Sequence, residues 1–377
     1  MKLFMIFFSI LAIMALNGTS KETIEKFNEN GVEIINNHIT PYKLKGLPSE
    51  VILKEELSLD MENFEKEIGY IGSIEADYNG NLYLYDTKLY KILVLNNKGK
   101  FLREIGGRGR GPGEFVVVMD IRINAYGEIV VNDPINRKFS VFSKDGKLIK
   151  EVKFNFSSGE GIMLDNGNFI FKKNKFPTSK NENLKVVACL YNSKYELIKE
   201  LDEIETLNPL AQKIIASYYN LCIDISSDKI FIGKQGREYD IFIYNFTGKL
   251  LKKIRKKYTP VSPSPEFKKA FIGRLGKKYE FFKNKLVFPE FLPPFHNFST
   301  DKSGRLFVMT YEKDTHTKSK YMLDIFNQEG VLIFRIGFEF PPFYRSIFRA
   351  INDRLYFIYE KTTGFQKLIC YKIIWKK

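Results

Sequence analysis

Short apolar runs alternate with polar turns along almost the whole chain, and the alternation has a period. Residues 74–105 read IEADYNGNLYLYDTKLYKILVLNNKGKFLREI: a strand-like run, an Asn/Gly turn, a strand ending in Asp, a third strand, a Gly-Lys turn and a fourth strand. Residues 121–152, IRINAYGEIVVNDPINRKFSVFSKDGKLIKEV, repeat the order. Gly80 and Gly127, Asp86 and Asp133, and Gly99 and Gly146 are each 47 positions apart. Apolar runs bounded by Gly, Asn and Asp are strand signals. Four short strands recurring every ~40–50 residues predict β-propeller blades, because one such sheet cannot bury both faces alone.

The pattern continues less cleanly through residues 162–200, 221–254, 298–336 and 347–375, which makes six units. In the third unit Tyr195 takes the place of the turn glycine, and NKFPTSKNENL is an exposed insertion. The expected fold is all-β: a six-bladed β-propeller of four-stranded antiparallel blades with short helical insertions. Its last sheet needs an extra strand from the N-terminal part, either Gly31–Asn36 or Val51–Leu57, to remove the open edge. Asn208-Pro209 before LAQKIIASYY predicts one short helix. Ser262–Lys285, with Phe267, Phe271, Leu275, Tyr279 and Phe282 three or four residues apart, predicts a second that packs on the ring or covers one face.

Met1-Lys2, an apolar stretch from Leu3 to Leu16 and small residues at Gly18 and Ser20 read as a secretory signal peptide over 1–20. The stretch falls short of the ~20 residues a spanning helix needs, so no transmembrane span is expected after cleavage. Residues 21–60 then form an N-terminal segment with the ring-closing strand, and 61–377 the propeller, with a helical and basic insertion at about 255–295. Cys189, Cys222 and Cys370 lie in apolar contexts with no metal or redox spacing and are expected as buried thiols. The formal charge is +15, or +14 without Lys2, which favours acidic surroundings. For an exported, periplasmic or extracellular chain that means an acidic glycan or other envelope component rather than nucleic acid.

The run EIGGRGRGPGEF (Glu104–Phe115), the turn Asp133-Pro134-Ile135-Asn136-Arg137, the opening GVEIINN and the closing GFQKLICYKIIW resemble the secreted bacterial six-bladed β-propellers related to NHL-repeat proteins. The resemblance extends over essentially the whole mature chain and implies the fold, but is nearly silent on activity. Unit one carries Asp86-Thr87-Lys88-Leu89-Tyr90-Lys91 at the corresponding turn, and units three, four and six lack it.

Candidate chemistry is sparse. The glycine-rich loop 106–113, with Arg108 and Arg110, has the composition of an anion cradle, yet a strand follows it where a phosphate loop needs a helix. It reads better as an inter-blade crossover. Asp133 and Asn136 are expected to satisfy turn amides, with Arg137 paired to an acid. Asp77, Asp224 and Asp301 are read as turn-forming too. His296 and His316 read as loop residues, and with His38 they show no metal spacing. The densest basic cluster, Lys252, Lys253, Arg255, Lys256 and Lys257, is the candidate surface for an anionic partner, with Arg108 and Arg110. The leading expectation is a monomeric, non-catalytic exported scaffold without a cofactor, binding a protein or glycan through one face of the ring. The alternative is a metal-dependent, lactonase-like hydrolase with calcium in the central shaft, which requires several carboxylates or amides converging on the axis.

Overall fold

The computed structural model describes residues 24–376 except 157, 180–181, 207–213, 216–219, 237, 274–282, 315–316, 318–319 and 340–345. The expected signal peptide over 1–20 lies outside the described residues. The chain is a six-bladed β-propeller of four-stranded antiparallel blades. Blade 1 comprises Ile71–Ala76, Leu82–Asp86, Lys91–Leu95 and Phe101–Ile105; blade 2 comprises Asp120–Ile123, Ile129–Asp133, Lys138–Phe142 and Leu148–Lys153. Blade 3 is Gly161–Met163, Phe169–Lys175, Leu184–Tyr191 and Leu197–Thr206; blade 4 is Leu221–Ser226, Lys229–Lys234, Asp240–Asn245 and Leu250–Lys256. Blade 5 is Phe295–Thr300, Leu306–Lys313, Tyr321–Phe326 and Leu332–Phe338. Blade 6 takes Ile347–Ile351, Arg354–Glu360 and Gln366–Lys376 from the C-terminus.

The burial pattern follows each strand's place in its blade. Leu82–Asp86, Ile129–Asp133 and Lys138–Phe142 are buried along their whole length, because both faces of a middle strand meet neighbouring blades. Leu148–Lys153, an outer strand, has no buried residue and is exposed at half its positions. The apolar clusters lie between successive blades. Tyr83, Tyr85 and Ile92 of blade 1 meet Phe115 of the following crossover and Ile121 and Val131 of blade 2. Equivalent clusters join blades 2 and 3, 3 and 4, 4 and 5, 5 and 6, and 6 and 1. Each blade is thus stabilised by the two beside it, the reason a repeat of this kind must close into a ring.

The turns explain why the period is legible. Asp77 Oδ1 accepts from the amides of Asn79 (2.9 Å) and Asn81 (2.8 Å), and Asn96 Oδ1 does the same for Lys98 and Lys100. The fourth residue of each turn has positive φ, +79° at Gly80 and +78° at Gly99. Tyr195 adopts the same conformation, φ +62°, at the position where the repeat has lost its glycine.

Both N-terminal strands left open by the sequence are used, in different places. Glu50–Asp60 pairs antiparallel with Gln366–Lys376 as the outer strand of blade 6 and closes the ring. Val32–Asn37 instead runs parallel to Leu250–Lys256 of blade 4, with Glu25–Glu29 hairpinned outside it. Asn37 fixes this addition: its amide donates to the carbonyls of Arg255 (3.1 Å) and Gly330 (3.0 Å), and its Oδ1 accepts from Leu332 N (2.8 Å) in blade 5.

The expected helix before blade 5 is present as Pro265–Gly273, with Phe267 and Phe271 packed on Leu292 and Tyr311. Leu275, Tyr279 and Phe282 lie outside the described residues. The helix expected after Pro209 is not found where the chain is described: Ile214–Ile215 pair in parallel with Leu286–Val287, an extended conformation suited to β-branched residues. Its remaining residues lie outside the described residues. The three cysteines are free and buried, as expected.

Candidate functional site

The first strand of each blade lines the central shaft. Antiparallel order puts the crossovers between blades, including 106–119 and the described residues 257–273 and 283–294, on one face, and the short turns such as 77–81, 124–128 and 164–168 on the other. Midway along the shaft the inner strands meet in an ionic hub. Arg122 of blade 2 donates from Nε to Asp120 (2.6 Å) and from Nη1 across the shaft to Asp224 of blade 4 (2.5 Å). Arg349 of blade 6 pairs with Glu75 of blade 1 (3.1 Å) and Asp224 (3.5 Å). Asp224 also accepts from Ser299 Oγ (3.0 Å) and Thr300 N (2.8 Å) of blade 5, and Ser299 Oγ accepts from Ala350 N (3.0 Å) of blade 6. Five blades are joined through one carboxylate and two guanidinium groups.

Burial pushes the Glu75 and Asp120 carboxyls above the usual range. Burial works the same way on Asp224, but the charges of Arg122 and Arg349 and the Thr300 amide outweigh it and bring the group down to about 2. The hub separates two cavities. One, of about 380 Å³, opens toward the crossover face and is bordered by Met119, Glu160, Lys172, Cys222, Gln235 and His296. The other, of about 310 Å³, opens toward the turn face past Tyr78, Asp165, Ser227 and Lys302. Arg122 and Arg349 form the partition.

Among the described residues, the nucleophile and base candidates that border the crossover-side cavity are shifted away from reactivity or ion-paired. Burial pushes the Cys222 thiol up to about 12 and the His296 imidazole down to about 4. Lys172 is ion-paired with Glu160 at 2.5 Å. The carboxylates on the axis, which a metal-dependent hydrolase would need, each face a guanidinium, and among the described residues no group of three or more His, Cys, Asp or Glu could hold a metal ion. A divalent cation there would sit against Arg122 and Arg349, so the donor set does not fit calcium.

The basic cluster alternates across the outer strand of blade 4 and is largely engaged. Lys252 reaches Glu33 (3.2 Å) and the Glu329 carbonyl; Lys253 and Arg255 share Asp240 at 2.6 and 3.0 Å. The Lys256 side chain is 0% exposed, held by Asp324 (3.2 Å) and Glu312 (3.4 Å) over the Tyr239 ring. Lys257 is exposed. Arg108 and Arg110 are exposed on the crossover between blades 1 and 2, away from this strand, and Arg108 lies over the Tyr90 ring. The glycine-rich loop is bound to itself and its own blade: Phe115 N donates to Gly107 O (2.7 Å), Gly111 N to Glu114 (2.8 Å) and Gly113 N to Glu151 (3.1 Å).

Asp133 serves its turn as expected, accepting from Val116 N (2.8 Å) and from the Asn136 backbone and side chain. Asp77 and Asp301 are turn residues as well. Three expectations need correction. Asp224 is a shaft residue, placed there by the alternation of LCIDIS, in which the flanking isoleucines pack between blades. His296 lies on the inner strand Phe295–Thr300, not in a loop, while His316 lies outside the described residues. Arg137 has no ion pair among the described residues: with φ at +51° its side chain is exposed, and the acid Glu151 pairs with Lys138 instead. Sequence reading passed over Glu75, Arg122, Arg349 and Gln235. The available signal was a charge between buried isoleucine or alanine positions, as in IEA and IRI, in the strand that opens each repeat.

A family model described as a 6-bladed β-propeller matches residues 62–225, from the entry to blade 1 through the first strand of blade 4. No curated protein matches the chain. Among solved structures, the chain is similar to a Bacteroides fragilis protein named for its expected export, at 13% identity and a TM-score of 0.55 over 91% of this chain and 100% of that one. It is similar also to a DUF4221-family member from Bacteroides vulgatus, at 14% identity and a TM-score of 0.52 over 87% of this chain and 99% of that one. Virginiamycin B lyase from Staphylococcus aureus gives a TM-score of 0.40 at 14% identity over 86% and 100% of the two chains, too distant to carry an argument about chemistry. At these identities the likeness shows the fold alone. Among the described residues no helix is long and apolar enough to cross a membrane.

Proposed function

We propose that this chain is an exported, non-catalytic propeller scaffold that binds an envelope partner, a protein or a glycan, over the crossover face of the ring. The observation that carries the reading is the asymmetry of the two faces. Exposed apolar side chains gather on the crossover face, with Met119, Ile135, Phe176, Phe291 and Phe365 all substantially exposed and Phe176 at 71%. Met119 borders the shaft cavity on this face. The turn face offers Tyr78 and Tyr126, and Lys302 already lies 3.5 Å over the Tyr78 ring. Exposed apolar side chains gathered on loops over a rigid frame mark interaction surfaces. The hub supports the non-catalytic part, because its charges compensate one another and knit the blades together. Export rests on the apolar N-terminal stretch and on the naming of the Bacteroides fragilis neighbour.

The test is capture from envelope extracts by the immobilised mature protein. Wild type retains a partner, Met119→Glu with Ile135→Glu loses it, and Tyr78→Glu with Tyr126→Glu keeps it. Loss with the turn-face pair alone would overturn the assignment of the face.

A further inference from the structure

We propose that the cavity of about 380 Å³ at the crossover mouth of the shaft binds a neutral polyhydroxyl unit, a single sugar residue, read by Gln235, His296, Ser346 and Arg349. The proposal rests on the scaffold reading only for the use of this face. Among the described residues, ten buried side-chain polar atoms have no hydrogen-bond partner, and four of them border this one cavity. They are Gln235 Oε1, His296 Nδ1, Ser346 Oγ and Arg349 Nε, contributed by blades 4, 5 and 6. Unpaired buried polar atoms destabilise a fold, so their convergence on one cavity points to a ligand that completes them. The cavity also falls in the size range of small-molecule sites, ~300–1,000 Å³.

The chemistry of the lining selects the ligand class. Gln235 is 4% exposed and its Nε2 donates to the His296 carbonyl, which leaves Oε1 turned out as an acceptor. Arg349 Nε is a donor; Ser346 Oγ is both, and a neutral imidazole nitrogen is one or the other according to tautomer. A hydroxyl donates and accepts at once, so a ring of hydroxyls satisfies such a mixed set where a carboxylate, an acceptor only, does not. Charge gives the same answer. The lining holds three carboxylates, Asp120, Glu160 and Asp224, against three cations, Arg122, Lys172 and Arg349, already paired. An anion would have to break these pairs. Leu221, Phe298, Ile347 and Phe348 supply apolar wall for the C–H face of a sugar ring.

The experiment is titration of the mature protein with glucose, galactose, mannose and N-acetylglucosamine, with glucuronate and inorganic phosphate as charged comparators, followed by calorimetry and saturation-transfer NMR. The expected result is saturable binding of at least one neutral sugar. Gln235→Ala and, separately, Ser346→Ala weaken it by about tenfold or more, whereas Tyr78→Ala at the opposite mouth does not. Matched circular dichroism and melting curves confirm that the variants fold. The proposal is overturned if no neutral sugar binds, if glucuronate or phosphate binds more tightly, or if binding survives both cavity variants. Continued partner capture without sugar binding would sink the pocket and spare the face; loss of face dependence with sugar binding intact would do the reverse.

Discussion

Asp133 and Asp224 are both buried aspartates on blade strands, yet one closes a turn and the other holds the ring together. Asp133 ends its strand and accepts from amides of the preceding crossover. Asp224 lies between two isoleucines and accepts across the shaft from Arg122. Removing a partner from a buried pair leaves an uncompensated charge, so Arg122→Met should lose about 3–5 kcal/mol, read from chemical denaturation. His296 adds a pH signature. Its folded value of about 4 lies below the ~6.5 of the unfolded chain, so the unfolded state takes up the proton first. The stabilising contribution is complete above pH ~6.5 and declines as pH falls toward 4, by about 3 kcal/mol in all. His296→Asn should flatten denaturation midpoints across that window; an unchanged slope would show that the imidazole is not desolvated. The sequence displays Asp133 by its turn context, whereas the partners of Asp224 lie 102 residues upstream and 75 downstream. Only three-dimensional closure reveals them.

Strands and turns were readable because their causes are local. An Asx residue capping two amides and a positive-φ glycine three positions on leave a signature that repeats, and even Tyr195 betrays itself by occurring in register. The role of Leu250–Lys256 was not readable. Its lysines look like a surface, but the Lys256 partners, Glu312 and Asp324, belong to blade 5, and the strand that covers its edge comes from residues 32–37. The same logic separates the two N-terminal elements by experiment. A chain beginning after Asn37 loses the added hairpin and the Asn37 bonds, and should still fold with a melting temperature lower by roughly 5–10 °C. A chain beginning after Asp60 loses the outer strand of blade 6, and should show no cooperative melt, since the edge left on Gln366–Lys376 opens the ring. Equal behaviour of the two truncations would contradict the closure assigned to Glu50–Asp60.

At the scale of the molecule, six apolar interfaces and one ionic hub make a rigid frame whose two faces differ. Because the axial carboxylates are neutralised by arginine, a chelator should leave the melting temperature unchanged; a clear fall would return the shaft to metal chemistry. The central claim is that the crossover face does the binding. Hydrogen–deuterium exchange of a chain beginning at Lys21, with and without a solubilised envelope fraction, measures this directly. The account predicts added protection in 106–119, 134–137 and 176–179, with the turns 77–81, 124–128 and 164–168 unchanged. Protection confined to those turns, or none on either face, would contradict it.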